Sequence, residues 1–493
     1  MNEPDEYSPY EIQQAFDPDE LAGHFALAAG PAHLPASWTQ FQLGRWHLAC
    51  EPRLPCFRLV DKQAQPLGFL LGYPINEGGE LLVDTSREVV VADPADVEPW
   101  LYTFAGRWLA IFITPDFERV YMDTAGSLCA LYSESAGIVA TSSGLIPYSA
   151  DTGDRTDMIA KMPIFRQLLM YPVGMTPRYG VERLLPNHYL DLSTWRSYRH
   201  WPLSSIATNP DIEAVTNEVT ALTKRNIAAV AAQYPLQMSV TAGRDSRAML
   251  AVARPVLERV EFFTTSQPTH VAELDIYMAK RIVRAHRLNH RFIPFEAPDQ
   301  REWCQWYYRT GCSIGNPSSA ECARMIKQLD SNRAYLNGHL GALAKNTFAN
   351  RLSSLLPQWD GRTIVPEHLM LLSLAPHTEE GLARMACWLD SVPLDDAGHI
   401  LNLFFLEQRL GGWIAVLPTA FSDSYRFELW PFNHRRIAEL MLSLPQEFKN
   451  VFGLHRAIMA QEWPELLDIP INEAPLAFRI QRRAKRYLKA LSN

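Results

Sequence analysis

Residues 236–250, LQMSVTAGRDSRAML, combine the residue types needed to hold a phosphate. An apolar run gives way to Ser239, Thr241, Ala242, Gly243, Arg244, Asp245 and Ser246, and an amphipathic pattern follows at once. Small side chains at such a tip let backbone N–H groups approach an anion, and a helix that starts there points its positive end at it. Asp245 could then hold Mg²⁺ on the same phosphates. Arg244 and Arg247 flank it and, as rigid multi-donor cations, suit phosphate oxygens. A plain strand-to-helix turn capped by Asp and Ser would read the same way locally, with the two arginines paired to Asp245 or to surface acids. A second polar group, Glu407, Gln408 and Arg409, precedes Trp413 on a helical stretch. It reads either as a buried cluster pinning helices or as a site where Arg409 binds a substrate carboxylate.

The elements around the loop alternate strand, turn and helix: LQMSV, AGRDSRAMLAVARPVLERV, EFFTT, VAELDIYMAKRIVRAH and HRFIPF. That order predicts βαβ units and a parallel sheet. A helix is expected over 213–233, with Val215, Val219, Leu222, Ile227 and Val230 on one stripe. From about residue 301 onward helices dominate. Before the loop, residues 41–192 are strand-like, with short runs such as FQLGRWHLAC, GFLLGYP, LLVDTSREVVVA and GRWLAIFIT broken by Gly, Pro, Asn and Asp. Residues 196–212 lose that alternation and collect Pro, Ser and Asn, as a connection between domains does. The expectation is an α/β protein: a β-rich α+β sandwich over 1–200, then a parallel-sheet domain with added helices over 201–493.

Composition bounds the rest. The 493 residues suit two or three domains at roughly 150 residues each. Hydrophobic residues at 47% and charged residues at 20% describe a chain that buries a large core. The net charge of −8 argues against a general nucleic-acid coat, so any polyanion site must be local. Seven Cys without a C-x-x-C spacing disfavour a disulfide framework or a zinc cluster. The polar, acidic start MNEPDEYSPYEIQQ lacks the pattern of a secretory signal, and the apolar runs fall short of the ~18 residues of a membrane span. A cytoplasmic protein is expected. The final RIQRRAKRYLK carries six basic residues, with Phe478, Tyr487, Leu488 and Leu491 interleaved. It reads as a solvated helix packed along one stripe, or as a surface for an acidic partner protein or leader peptide.

T-A-G-R-D-S at residues 241–246 resembles the S-G-G-x-D-S pyrophosphate loop of the asparagine-synthetase-like group, with its adenine-nucleotide α-hydrolase fold. Other pieces follow in that family's order over nearly the whole chain. FAGRWLAIFI, YMDTAGSLCALYS, GIVATSSGLI and RYGVERLLPNHYLDL look like strands of its glutaminase-type (Ntn) sandwich. FFTT with Glu273 ten residues on, LNGHLGALAKN, FFLEQRLGGW and PFNHRRIAELMLSLP look like its synthetase domain. The resemblance implies an ATP- and Mg²⁺-dependent enzyme that adenylates a carboxylate, releases pyrophosphate and passes the acyl group to an amine. Ser239 and residues 241–246 would hold the phosphates, Asp245 the metal, Thr264 and Gly338 the nucleotide side of the sheet.

The chain departs from the pattern twice. Glutamine-using members expose a catalytic N-terminal Cys, whereas this sequence begins Met1, Asn2, Glu3 and its first Cys is Cys50. No glutaminase activity is expected, which points to β-lactam-synthetase-like or lasso-cyclase-like amide formation. An ammonia-dependent amidotransferase acting on a sugar uronate, or a nucleotide-binding pseudoenzyme or scaffold, are the alternatives. The family's G-x-G-x-D motif, which supplies a second Mg²⁺ ligand, here reads Gly338, His339, Leu340, Gly341, Ala342. His339 falls where ring-forming relatives place a group that deprotonates the amine, and a loop His bonded to a carbonyl is the plain alternative. Arg244, Arg247 and Glu407 complete the candidate catalytic set. The family's late catalytic Lys has no clear counterpart: Lys345 lies beside the altered motif, Lys449 ends a helix, and later lysines belong to the basic tail.

Overall fold

The computed structural model of the chain describes residues 7–161, 164–209 and 211–491, with the side chains of 270 and 484–491 left out. Met1 to Glu3, and the side chains of Tyr487, Leu488 and Leu491, therefore lie outside the described residues.

The period-two alternation of the first half builds two sheets. One has six strands in the order Glu182–Arg183, Leu131–Ser133, Ile138–Ala140, Phe25–Ala28, Trp46–Cys50, Thr39–Leu43, all antiparallel. The other has seven, running Arg196–Arg199, His188–Asp191, Glu118–Met122, Ala105–Ile113, Pro66–Ile75, Cys56–Val60, Val89–Val90. Successive side chains on a strand point to opposite faces. Phe25, Leu27, Trp46 and Leu48 of the first sheet accordingly meet Phe69, Leu71, Leu109 and Ile111 of the second in one apolar layer. Trp108, Ala110 and Phe112, the alternate residues, fill a separate layer on the outer side. The expected sandwich is present.

Two expectations need adjustment. Only Val89 and Val90 of the run 81–92 are strand, because Asp84 and Asp93 organise turns around themselves instead. The connection starts later than the composition suggests: Arg196–Arg199 is a strand that pairs with His188–Asp191, so the loss of alternation begins inside a hairpin.

The second half holds a five-stranded parallel sheet. Its strands are β1 (Leu236–Ser239), β2 (Val260–Ser266), β3 (His290–Pro294), β4 (Ala334–Leu336) and β5 (Phe427–Leu429), in the order β3-β2-β1-β4-β5. Every neighbouring pair is parallel. Helices α1 (Ile212–Gln233), α2 (Arg244–Val252) and α3 (His270–His286) fall where the sequence pattern puts them. Asp211 and Thr269 cap α1 and α3, while α2 starts at Gly243 with no side-chain cap. Among later helices, α4 (Gly453–Glu462) packs against α2, and α5 (Leu476–Leu491) ends the chain. The strand order reverses between β1 and β4. Ligands of open α/β sheets bind in the crevice outside the strand ends at such a switch point.

The run Ala397–Ala420 is long and apolar enough to cross a membrane, with a mean hydropathy of 1.3 over its best window. Joined into one helix, it exceeds what the separate apolar stretches suggested. It is a core element here, with 78% of that window buried. Its middle, Phe405–Ile414, is wound as a π-helix, and a Cβ on Gly411 would strike the Pro186 ring of the sandwich half. All seven cysteines are free thiols, six of them buried.

Candidate functional site

The loop after β1 and the loop after β4 meet at the switch point. Gly338 lets them meet: a Cβ there would stand 2.8 Å from Met249 Cγ and 3.4 Å from the carbonyl of Asp245. Thr241 organises the first loop, accepting from Gly243 N at 3.0 Å and sharing a 2.8 Å hydrogen bond with the Ser246 hydroxyl. Ala242 N donates to Asp275 Oδ1 of α3 at 2.7 Å. Two tip amides are thus already satisfied within the protein. The first-turn amides of α2, at Arg244, Asp245 and Ser246, are not capped by any side chain, and they carry the positive end of the helix dipole.

Asp245 gathers two nitrogen groups. Lys345 Nζ lies 2.5 Å from Oδ2, and His455 Nε2, on α4, lies 2.8 Å from Oδ1. Burial by itself would raise this carboxyl; His455 and Lys345 outweigh it and hold it well below the usual carboxylate range. Asp245 is therefore ionised, and its side chain remains 40% exposed, whereas Lys345 and His455 are 16% and 2% exposed. Arg244 lays its guanidinium 3.7 Å over the Phe452 ring. Lys345, beside the altered motif, and His455, on α4, were not assigned roles from sequence; they lie 100 and 210 positions away.

Across the crevice, His339 accepts a 2.8 Å hydrogen bond at Nε2 from Asn337 Nδ2 and packs edge-on against Trp430. Burial pushes its imidazole down to about 4. A neutral ring whose free nitrogen is already bonded makes a poor proton acceptor at neutral pH, so the general-base expectation for His339 is not supported. Nearby Glu428 on β5, which the sequence reading missed, is pushed up by burial and accepts from Tyr425 OH and Trp430 Nε1 at 2.9 and 2.8 Å. Arg409 stacks on Trp413 at 3.7 Å, and its charge is felt at His339. Among the described residues Arg409 makes no ion pair.

Three other expected site residues serve the scaffold. Arg247 is fully buried and donates to the carbonyls of Leu466, Ile469 and Pro470, so it fastens the C-terminal segment and does not face the loop. Glu407 accepts from Arg199 Nη1 at 2.6 Å, Trp388 Nε1 at 2.7 Å and Asn187 Nδ2 at 2.8 Å. That is the buried cluster pinning helices. Thr264 spends its hydroxyl proton on Val240 O at 2.6 Å and shares a further hydrogen bond with His290. Ser239 ends β1 beside the Tyr335 hydroxyl. Lys449 is buried, donating to Leu442 O at 2.8 Å.

The donor set does not fit a protein-held Mg²⁺. Mg²⁺ takes hard oxygen ligands in octahedral geometry, and both oxygens of Asp245 already face side-chain nitrogens. Ala342 has no acid to add, and no group of three or more metal-ligating side chains occurs among the described residues. The uncapped amides and the surrounding cations do fit phosphate oxygens. Cavities of about 360, 450 and 680 Å³ lie elsewhere: beside Trp100 in the sandwich, between α3 and α5, and along residues 201–206. Compared with models of protein families the chain matches none, and no curated protein matches it.

Proposed function

We propose that the chain is an adenylating carbon–nitrogen ligase, using ATP to activate a carboxylate and passing the acyl group to an amine, with no glutaminase step of its own. The observation that carries this reading is the uncapped start of α2 at the sheet's switch point, with Lys345 and Arg244 beside it. In such a reaction the carboxylate oxygen attacks the α-phosphorus, the bond to pyrophosphate breaks, and the amine then displaces AMP from the acyl carbon. The first-turn amides bind the phosphate chain, and Lys345 neutralises charge on the departing pyrophosphate. Arg409, without an acid of its own, orients the substrate carboxylate. His339 stays neutral and positions; the amine loses its proton to another group.

A second reading has its own support. Ala242 N and Gly243 N are already bonded to Asp275 and Thr241, and Asp245 is fully paired. These are features of a nucleotide-binding protein that keeps the fold without turnover. A pyrophosphate-release assay over a panel of carboxylates and amines separates the two, run beside calorimetric titration with ATP. Release for some acid that Lys345→Met lowers at least tenfold supports the ligase. ATP binding with no release from any pair leaves the second reading, and no ATP binding at all removes both.

A further inference from the structure

Helices α3 and α5 run beside one another and leave a groove of about 450 Å³ between them, away from the phosphate loop. On α3 it is lined at helical spacing by Ile276, Tyr277, Lys280, Arg281 and Arg284, and on α5 by Phe478, Gln481 and Arg482. The floor is apolar: Tyr277 and Phe478 pack with ring centroids 5.1 Å apart. The walls are basic. Arg482 is paired to Glu273 at 3.0 Å, which cancels the groove's one acid. Lys280, Arg281 and Arg284 are exposed and make no ion pair among the described residues.

A folded chain with net charge −8 does not gather unpaired cations around an apolar groove without cost, because like charges repel and apolar surface prefers to leave water. The geometry points to a docking groove for an acidic amphipathic peptide segment of a partner protein, whose apolar side chains enter between the helices while its carboxylates meet Lys280, Arg281 and Arg284. Charge complementarity selects the acidic class. Concavity selects a peptide over a membrane surface or nucleic acid, since an amphipathic segment laid in a groove buries its anchors at i, i+3, i+4 and i+7 spacing. The groove acts by docking, whatever chemistry the phosphate loop performs.

The test uses the full-length protein and a fluorescein-labelled helical peptide of Leu at i, i+3, i+4 and i+7 with Glu elsewhere. Its controls are the same peptide with Lys for every Glu, vesicles of phosphatidylcholine and phosphatidylserine, and single-stranded DNA. Anisotropy should show saturable binding of the Glu peptide at least tenfold tighter than the Lys peptide, weakening as salt is raised from 50 to about 300 mM. The double variant Arg281→Glu/Arg284→Glu should lose at least tenfold in affinity while keeping the wild-type circular dichroism and melting temperature. Ile276→Ser, on the apolar lining of the groove, should weaken binding without changing its salt dependence. Equal binding of the two peptides, binding unmoved by the charge reversal, or binding of vesicles or DNA in place of the Glu peptide would overturn the proposal.

Discussion

Lys345 Nζ stands 2.5 Å from Asp245 Oδ2, joining the loop after β4 to the first turn of α2 across one hundred residues of sequence. The loop after β4 thus sets a cation against this carboxylate. Lys345 meets the charge of Asp245, and His455 Nε2 reaches the other carboxylate oxygen at 2.8 Å.

That pairing can be read by titration. Asp245 is held low in the folded protein, so its pairing adds stability that is present above the unfolded value near 3.8 and lost as pH falls below it. Replacing Lys345 by Met removes the ammonium from Oδ2. The Asp245 carboxyl should then titrate at least about one unit higher, within the range an opposite charge at this distance commands. Carbon-13 NMR of the labelled carboxyl reads the shift directly. An unchanged titration in Lys345→Met would mean that His455 alone sets the carboxylate.

Acid should destabilise this protein well above the range where carboxylates titrate. Burial lowers His24, His290, His339 and His434 to about 4, and also lowers His188, His200, His286 and His399. Between about pH 6.5 and 4 the unfolded chain binds more protons than the folded one at each of these, so stability falls as pH falls through that window. Buried Asp123, Asp154, Asp275 and Glu428 are raised and work in the opposite direction, but they are half as many. Urea denaturation at pH 7, 6 and 5 should give a steadily declining free energy. His24→Gln should flatten the decline, because His24 is wholly buried against the carbonyls of Ala22 and Arg309.

The fold was legible where local rules decide it. Alternation marked most of the sandwich strands, and the strand–turn–helix rhythm marked β1 to β3 with α2 and α3. β4 and β5 were not distinguished, because three-residue strands flanked by helical text carry no period of their own. The candidate loop was legible because small residues after an apolar run are a local signal. Its partners were not: Lys345, His455 and Glu428 reach the crevice through tertiary packing, and nothing next to them in sequence records it. Arg247 and Glu407 misled for the same reason. Both have the right residue type, and only burial shows that each is spent on holding the structure together.

Glu407 therefore bears on stability. It is 1% exposed and meets Arg199, itself 7% exposed, at 2.6 Å. Burial opposes its ionisation, but Arg199 and His188 outweigh that and keep the carboxyl low. Breaking one side of such a pair leaves a buried charge without a partner, a loss of about 3 kcal/mol. Glu407→Gln should show it as a lower midpoint in urea with an unchanged slope. The double variant Glu407→Gln/Arg199→Met should recover part of the loss. A double variant as unstable as the sum of the singles would mean that the two side chains act independently.

Lys449 is the opposite case, a cation buried without a carboxylate in contact. Its ammonium is fully buried and bonds to Leu442 O at 2.8 Å, and burial pushes it down to about 7. The faces around it offer His399, itself lowered, and Asp396, whose attraction only partly offsets the desolvation. Because the folded value lies below the unfolded 10.5, the folded state releases a proton first. Stability should rise with pH between about 7 and 10.5, and the full cost of the buried charge is felt below 7. Lys449→Met keeps the length and apolar stem of the side chain while removing the charge. It should stabilise the protein at pH 6 by roughly 2 kcal/mol, once the lost hydrogen bond to Leu442 is set against the relieved desolvation. At pH 9 the same substitution should be close to neutral. Equilibrium denaturation of wild type and variant at both pH values decides it, and a gain that is the same at pH 6 and pH 9 would show that Lys449 carries no buried charge at pH 6.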